Sequence, residues 1–472
     1  MSVYLSRGVS PKAVSDFIKK CAENSINLRM LQVIKGCEPL VRVALEPYTT
    51  EAPCYLYSLS KSFTSIACGM CIEDGLLSTE TKMCELFSDK LPETVDENLA
   101  ALTLGDLLSM QSGHGTCALS VMRTAEDSLK AFFAHPFVHK PGTVFTYDSG
   151  ATCVCAAAAE RVTGKKLVDF LDERLFSKLD IKKPRWDECV DGQTFGGTGL
   201  YLSGDDIVKF GRMLINKGVY KGQRIIGEDY INLATTKKAD TGNNGASDWT
   251  AGYGYQFWLN GKDGFRGDGA FGQFCYVFPK SDMVVALTGE SGYTVKEVEL
   301  LYEMLDNMFS DDADGYDELL TLTKTLYKPN AVKDGFNKDL SFAVAENPSD
   351  VRRIRFFGEK LLHVEFETDY GKKELVCGNG EYILNHLLLK NLCVGLDLRD
   401  ERKDTVERVN LFCAYETHGD GKIKLTLRHG DKPHTQHWYI DLEKGSIDIK
   451  ILVGTIQTTE LKLTPIGTIE NI

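Results

Sequence analysis

The sequence predicts a two-part fold, an α/β (α+β) domain followed by an all-β domain. Strand-like segments occur near both ends of the first 310 residues, with helical, glycine-punctuated stretches between them. Beyond about residue 335 the texture changes to apolar–polar alternation broken by turn residues. At 472 residues the chain also exceeds what one hydrophobic core usually supports.

Residues 11–24 read as an opening helix, and "NLRMLQVIKGCEPLVRVALEPY" (27–48) as two strands joined near Lys35-Gly36. A helix is expected from Ser58 to about Asp74 and another over "GDDIVKFGRMLINKGVY" (204–220). "GYGYQFWL" (252–259), "AFGQFCYVFP" (270–279) and "MVVALTGE" (283–290) read as strands. "TVKEVELLYEMLDNMF" (294–309) reads as a helix packing back on them. The antiparallel sheet is therefore built from both chain ends, flanked by helices, with a helical insertion. An acidic, turn-rich stretch opens at residue 310, and the expected division is a first domain at 1–315, a linker at 316–335 and a β domain at 336–472. In that last part, turn signals at Asp369-Tyr370-Gly371 and Asp420-Gly421 separate strands of an antiparallel barrel or sandwich. It is expected to carry no chemistry and to act in packing, in shielding the cleft or in oligomer contacts.

Composition limits the partners. Hydrophobic residues make up 43% and charged residues 26%, as in an ordinary globular protein. The net charge is −13, with no basic cluster and no glycine-rich phosphate loop. Neither a nucleic acid nor an anionic membrane is an expected partner. The opening "MSVYLSRGVSPKAVSDFIKKC" lacks the apolar core of a signal peptide, and no run of about 18 apolar residues occurs. The 14 scattered cysteines read as reduced, mostly buried thiols, so the expected compartment is the cytoplasm.

"YLYSLSKSFTS" (55–65) holds the chain's single Ser-x-x-Lys, Ser58 to Lys61. On a first helical turn, residues i and i+3 share a face, so the Lys61 amine reaches the Ser58 hydroxyl. A serine needs an adjacent base to become a nucleophile. Lysine serves when burial and the helix dipole disfavour its proton. Backbone N–H groups at the helix start also face a developing oxyanion. The following "FTSIACGMCI" is too apolar for a surface helix. In "GTVFTYDSGA" (142–151), Tyr147 and Ser149 form Y-x-S. A phenol beside a lysine can pass a proton to a leaving group, and Ser149 can bond Lys61. In "FRGDGAFGQFCYVFP" (265–279), glycines before a strand let backbone approach a ligand. Taken singly, each segment also reads as chance spacing, a loop tyrosine and an ordinary turn.

Together the three segments resemble the three motifs of the serine β-lactamase and penicillin-binding-protein superfamily, whose signature includes S-x-x-K. The likeness is greatest to its class C β-lactamase-like branch, with its esterases, D-aminopeptidases and 6-aminohexanoate-dimer hydrolases. It is also carried by "LTLGDLLSMQSGH" (102–114), "GGTGLYLSGDDIVKFGRMLINKGVY" (196–220) and "GYGYQFW" (252–258), over roughly residues 25–310. The resemblance implies a β-lactamase-like first domain. It implies Ser58 as acylated nucleophile, Lys61 as base partner and Tyr147 as proton shuttle. The oxyanion hole would be the N–H groups of Ser58 and Ala270. The third motif usually begins with Lys or His, whereas here the triplet is Gly267-Asp268-Gly269, with Arg266 adjacent. Asp268 and Gly269 would border the substrate, and Asp268 would repel the carboxylate of a β-lactam. The expected activity is hydrolysis of a small ester, amide or peptide, with weak or no β-lactamase activity. A sensor that is acylated but does not turn over, and a true β-lactamase, are the alternatives.

Rival chemistries find less support. A Ser-His-Asp hydrolase lacks a G-x-S-x-G elbow. His114, in "SGHG", reads either as lining the cleft or as a structural loop histidine. Cys68-x-x-Cys71 lies in the apolar helix without a second pair and reads as core. His434-x-x-His437 lies in the β region without further ligands and reads as a solvated strand pair. No metal or cofactor is expected. Tyr253, Tyr255, Trp258, Phe271 and Trp249 read either as an aromatic wall around the substrate or as core. A homo-oligomer is left open.

Overall fold

The computed structural model describes residues 3–242, 247–310, 314–347, 351–368, 371–390, 406–419, 421–453 and 455–466. The expected turn residues Asp369, Tyr370 and Asp420, and part of the acidic stretch (311–313), lie outside the described residues.

Strands from both chain ends form one antiparallel sheet. Its order is Val3–Leu5, Glu38–Ala44, Asn27–Lys35, Met283–Glu290, Gln273–Phe278, Phe265–Gly269 and Trp258–Leu259. Side-chain alternation divides the core in two. Phe274, Tyr276 and Phe278 point to a layer with Val14, Phe17 and Ile18 of the Pro11–Glu23 helix and Leu301 and Met304 of the Thr294–Asn307 helix. Cys275, Val277 and Ala286 face the opposite layer, formed by the Ser60–Glu73, Ser149–Thr163 and Gly204–Ile215 helices. Local chemistry starts these helices. Ser10 caps the first ahead of Pro11, and Ser203 with Asp206 forms a capping box at the start of the Gly204–Ile215 helix.

Three expected elements end differently, each for a local reason. The helix from residue 204 stops at Ile215, because Lys217 and Gly218 are left-handed and lead into a small Val219–Tyr220/Gln223–Arg224 hairpin. In 252–259 only Trp258–Leu259 is a strand. Gln256 has φ +65°, and the carbonyls of Tyr255 and Gln256 accept bonds from Ser65 and Ser62 rather than joining the ladder. Ser58 lies on a 3₁₀ turn, Tyr57–Leu59, and the α-helix begins only at Ser60.

Among the described residues, the C-terminal part is a near-closed antiparallel barrel of ten strands running from Gly371–Cys377 at one edge to Ile383–Lys390 at the other. Its core includes Ile354, Phe356, Val364, Leu425, Trp438 and Ile449. Asn385 closes the gap between the edges: its side chain accepts from Val376 N–H at 2.8 Å and donates to Val376 C=O at 2.9 Å, as a neighbouring strand would. Within the expected linker, Tyr316–Thr325 is a helix whose Leu319 is buried, and the Tyr327 hydroxyl donates to Leu28 C=O at 2.8 Å. The barrel leans on residues packed in the first core layer, through the edge-to-face pair Tyr48–Phe412 and through Arg428, which lies 4.1 Å above the Tyr327 ring.

Candidate active site

The Ser58 segment leaves a short strand pair, Cys54–Tyr55 with Tyr201–Leu202, and turns into the Ser60–Glu73 helix. That helix is buried from Ser60 to Cys71, so its hydroxyls need partners inside the protein. They find backbone carbonyls: Ser60 donates to Tyr57 at 2.6 Å, Ser62 to Gln256 at 2.9 Å, Thr64 to Gly196 at 2.9 Å and Ser65 to Tyr255 at 2.7 Å. These bonds tie the 196–197 and 255–256 loops around the helix. Cys68 and Cys71 lie in the same core.

Lys61 is 1% exposed. Its Nζ lies 2.9 Å from Ser58 Oγ, 2.9 Å from Ser149 Oγ and 2.7 Å from Gly197 O. Burial pushes its pKa down to about 7, against the opposing pull of Cys117, Asp148 and Asp268. The Gly197 carbonyl can only accept, so one N–H is committed to it. A neutral Lys61 then turns its lone pair to one of the two serine hydroxyls. Gly197 was missed at the sequence level, because a backbone acceptor leaves no residue-type signal.

Tyr147 closes one side. Its ring centroid is 4.9 Å from Lys61 Nζ, and it stacks on Trp258 at 5.7 Å. Burial raises its phenol pKa, and the neighbouring Ser58 hydroxyl pulls the other way. Tyr253 does not face the cleft. It is 1% exposed and packs edge-on behind Tyr147 and Trp258. Trp258 is half-buried in the same cluster, so it holds the phenol.

His114 is corrected in the same way. It is fully buried between Phe132 and Phe137, with Nδ1 2.9 Å from Asp148 Oδ2. The other Asp148 oxygen accepts from Gly150 N–H and Ala118 N–H, capping the helix that begins at Ser149. His114 thus steadies the cap beneath Ser149 and has no access to a substrate. Asp148, also missed, could have been found from its place in Y-D-S ahead of a helix.

The Phe265–Gly269 strand passes close under the Tyr57–Leu59 turn that carries Ser58. A Cβ at Gly269 would lie 2.2 Å from Leu56 O, and one at Gly267 would lie 2.2 Å from Leu59 Cδ1 and 2.9 Å from Ser62 Oγ. Only glycines allow this approach, which brings Ala270 beside the turn. It leaves no room for a lysine or histidine at position 267. On the opposite strand face, Arg266 is fully buried and bonds Asp248 at 2.5 Å and Asp268 at 3.0 Å, with Trp249 4.7 Å away. The adjacent cation is therefore consumed internally, and Asp268 is its counter-ion rather than a free charge facing substrate.

His434 is not solvated. It is 1% exposed, and its Nε2 is hydrogen-bonded to the Tyr57 hydroxyl at 2.8 Å. No helix among the described residues is long and apolar enough to cross a membrane.

The Beta-lactamase family model matches residues 31–306. This chain belongs to the Beta-lactamase family. Among curated relatives, a 6-aminohexanoate-dimer hydrolase of Paenarthrobacter ureafaciens is 24% identical over 54% of this chain and 70% of its own. A penicillin-binding protein 4 of Amycolatopsis lactamdurans is 28% identical over 52% and 74%. Among solved structures, an octameric penicillin-binding protein homologue from Pyrococcus abyssi superposes with a TM-score of 0.50 at 15% identity, covering 96% of this chain and 99% of that one. EstCE1, a hydrolase with promiscuous acyltransferase activity, gives 0.53 at 15% identity over 62% and 98%. These structural likenesses show the fold. The family and the hydrolases among its relatives support a hydrolase.

Proposed function

We propose that this family member is a serine hydrolase that acts through an acyl-enzyme on a small ester or amide. The observation that carries the reading is the buried Lys61 amine, 2.9 Å from both Ser58 and Ser149, with its pKa pulled to about 7. In this reading Lys61 takes the Ser58 proton as Ser58 Oγ bonds the acyl carbon. The N–H groups of Ser58 and Ala270 receive the oxyanion. Tyr147 gives its phenolic proton to the leaving group, which departs as an alcohol or amine, and takes in exchange the proton held by Lys61; water then adds to the acyl carbon, one of its protons returns to Ser58 Oγ and the acid is released.

The missing cation at position 267 and the engaged Arg266 favour substrates without a carboxylate at the β-lactam position. Penicillins are accordingly expected to be poor substrates relative to simple esters. The test is a hydrolysis screen over short-chain p-nitrophenyl esters, D-amino-acid amides and penicillins, with fluorophosphonate labelling read by intact mass. Ser58→Ala should lose both turnover and the adduct; equal labelling of that variant would remove Ser58 from the role. A stoichiometric burst without turnover on every substrate would favour the sensor reading.

A further inference from the structure

We infer that His434, carried by the C-terminal barrel, is a positioning residue for the oxyanion hole; this rests on the reading of Ser58 above. The two residues that flank the proposed donors are both bulky and both left-handed. Tyr57, with φ +49°, immediately precedes Ser58, and Phe271, with φ +67°, immediately follows Ala270. Bulky side chains hold that conformation only where their surroundings impose it. Here the two rings meet edge to face at 5.0 Å. The same imidazole touches both: His434 lies 5.5 Å from the Phe271 ring and 6.2 Å from the Tyr57 ring, and bonds the Tyr57 hydroxyl.

The imidazole is itself held in place. Its turn joins the Lys422–His429 and Thr435–Asp441 strands and is anchored to the first domain on each side. Tyr55 N–H donates to Asp431 C=O at 2.7 Å, Arg29 donates to Lys432 C=O at 2.5 Å, and the Thr435 hydroxyl donates to buried Glu290 at 2.8 Å. The peptide bearing Ser58 N–H follows directly on Tyr57, so relaxation of Tyr57 swings that donor. Relaxation of Phe271 loosens the turn that presents Ala270. The barrel thereby sets the spacing of two donors that lie on distant parts of the first domain.

The test uses the full chain, p-nitrophenyl butyrate and saturating fluorophosphonate, at a temperature where circular dichroism reports each variant folded. Loss of one oxyanion donor costs about 10²–10³-fold in kcat, so its misplacement in His434→Ala should lower the maximal acylation rate roughly tenfold or more. KM should stay within about threefold, since ground-state binding is untouched. His434→Gln, which can still bond Tyr57, should recover most of the rate. A folded His434→Ala acylating at the wild-type rate overturns the inference, as does an equal loss in Ala and Gln variants, which would mark a merely structural role. Should His434→Ala fail to fold, Tyr57→Phe decides: a lowered maximal rate at unchanged KM supports the positioning role, and a wild-type rate overturns it. Failure of the wild-type chain to label would instead remove the Ser58 reading, and this inference with it.

Discussion

Two buried cations lie on opposite sides of the Phe265–Gly269 strand, and the protein treats them in opposite ways. Lys61 is surrounded by two hydroxyls and a carbonyl, with no carboxylate in contact among the described residues. Arg266 is as deeply buried but is held by two carboxylates, Asp248 and Asp268, and its pKa is raised. Desolvation acts on both, and the partners decide the outcome. A lysine whose direct partners are dipoles, with carboxylates acting only from a distance, is disposed to give up its proton and suits the proposed role of base. An arginine given counter-ions keeps its charge and becomes a structural fastener. The chemistry differs as well, since a guanidinium is not deprotonated in proteins whereas a buried amine titrates readily.

The largest expected effect falls on the Lys61 side. Lys61→Met should slow acylation by about 10²–10⁴-fold, with thermal stability unchanged or raised, because a desolvated amine is replaced by an isosteric apolar chain. A stopped-flow burst and a melting curve together check this; near-wild-type acylation would leave the site without its base. Arg266→Met should do the reverse. Leaving Asp248 and Asp268 buried without their cation should cost about 3–5 kcal/mol in a urea unfolding experiment. If that variant is no less stable than Lys61→Met, the contrast between the two sites fails.

The pH dependence sharpens the same contrast. Acylation should rise with pH about tenfold per unit below pH 7 and level off above it, as Lys61 passes its pKa of about 7. The groups acting on Lys61 are Cys117, Asp148 and Asp268. Stability follows from the same shift. Folding lowers the Lys61 pKa from 10.5 to about 7, so between those values the unfolded chain binds the extra proton. The Lys61 penalty is therefore full below pH 7 and is relieved as pH rises towards 10.5. The difference in melting temperature between wild type and Lys61→Met should narrow over that interval, and a constant difference would contradict the shift. The smallest effect is expected at Trp258→Phe. Trp258 stacks on Tyr147 without contacting Lys61 or Ser58 in any described hydrogen bond, so kcat should fall less than about tenfold, against the 10²–10⁴-fold expected of a group transferring the proton itself.

How far the sequence could be read depended on the range of the interaction. Ser58 and Lys61 are three residues apart, and Tyr147 and Ser149 two, so one turn of chain already constrains their geometry. The first sheet was legible from the apolar-rich segments on either side of Lys35-Gly36 and from Met283–Glu290, whose opening apolar run marks a central strand. Burial of single polar residues was not legible. His114 reads either as a cleft or as a structural residue until Phe132 and Phe137 enclose it, and Arg266 reads only as a cation next to the triplet until Asp248 meets it from 18 positions away. His434 is 377 residues from Tyr57, and the β region reads as self-contained because its alternation is satisfied by its own core. Periodicity reports which face of an element is apolar, not which element will cover it. The sequence by itself thus determined the spacing of Ser58 and Lys61, the pair proposed as nucleophile and base, the order of the motifs and the two fold classes, because those follow from local spacing and hydrophobic period. Tertiary structure decided which charges are neutralised, that glycines at 267 and 269 bring the strand under Ser58, and that a barrel residue braces both sides of the proposed oxyanion hole. Those outcomes depend on the local dielectric and on close approach, which exist only once distant segments are packed together.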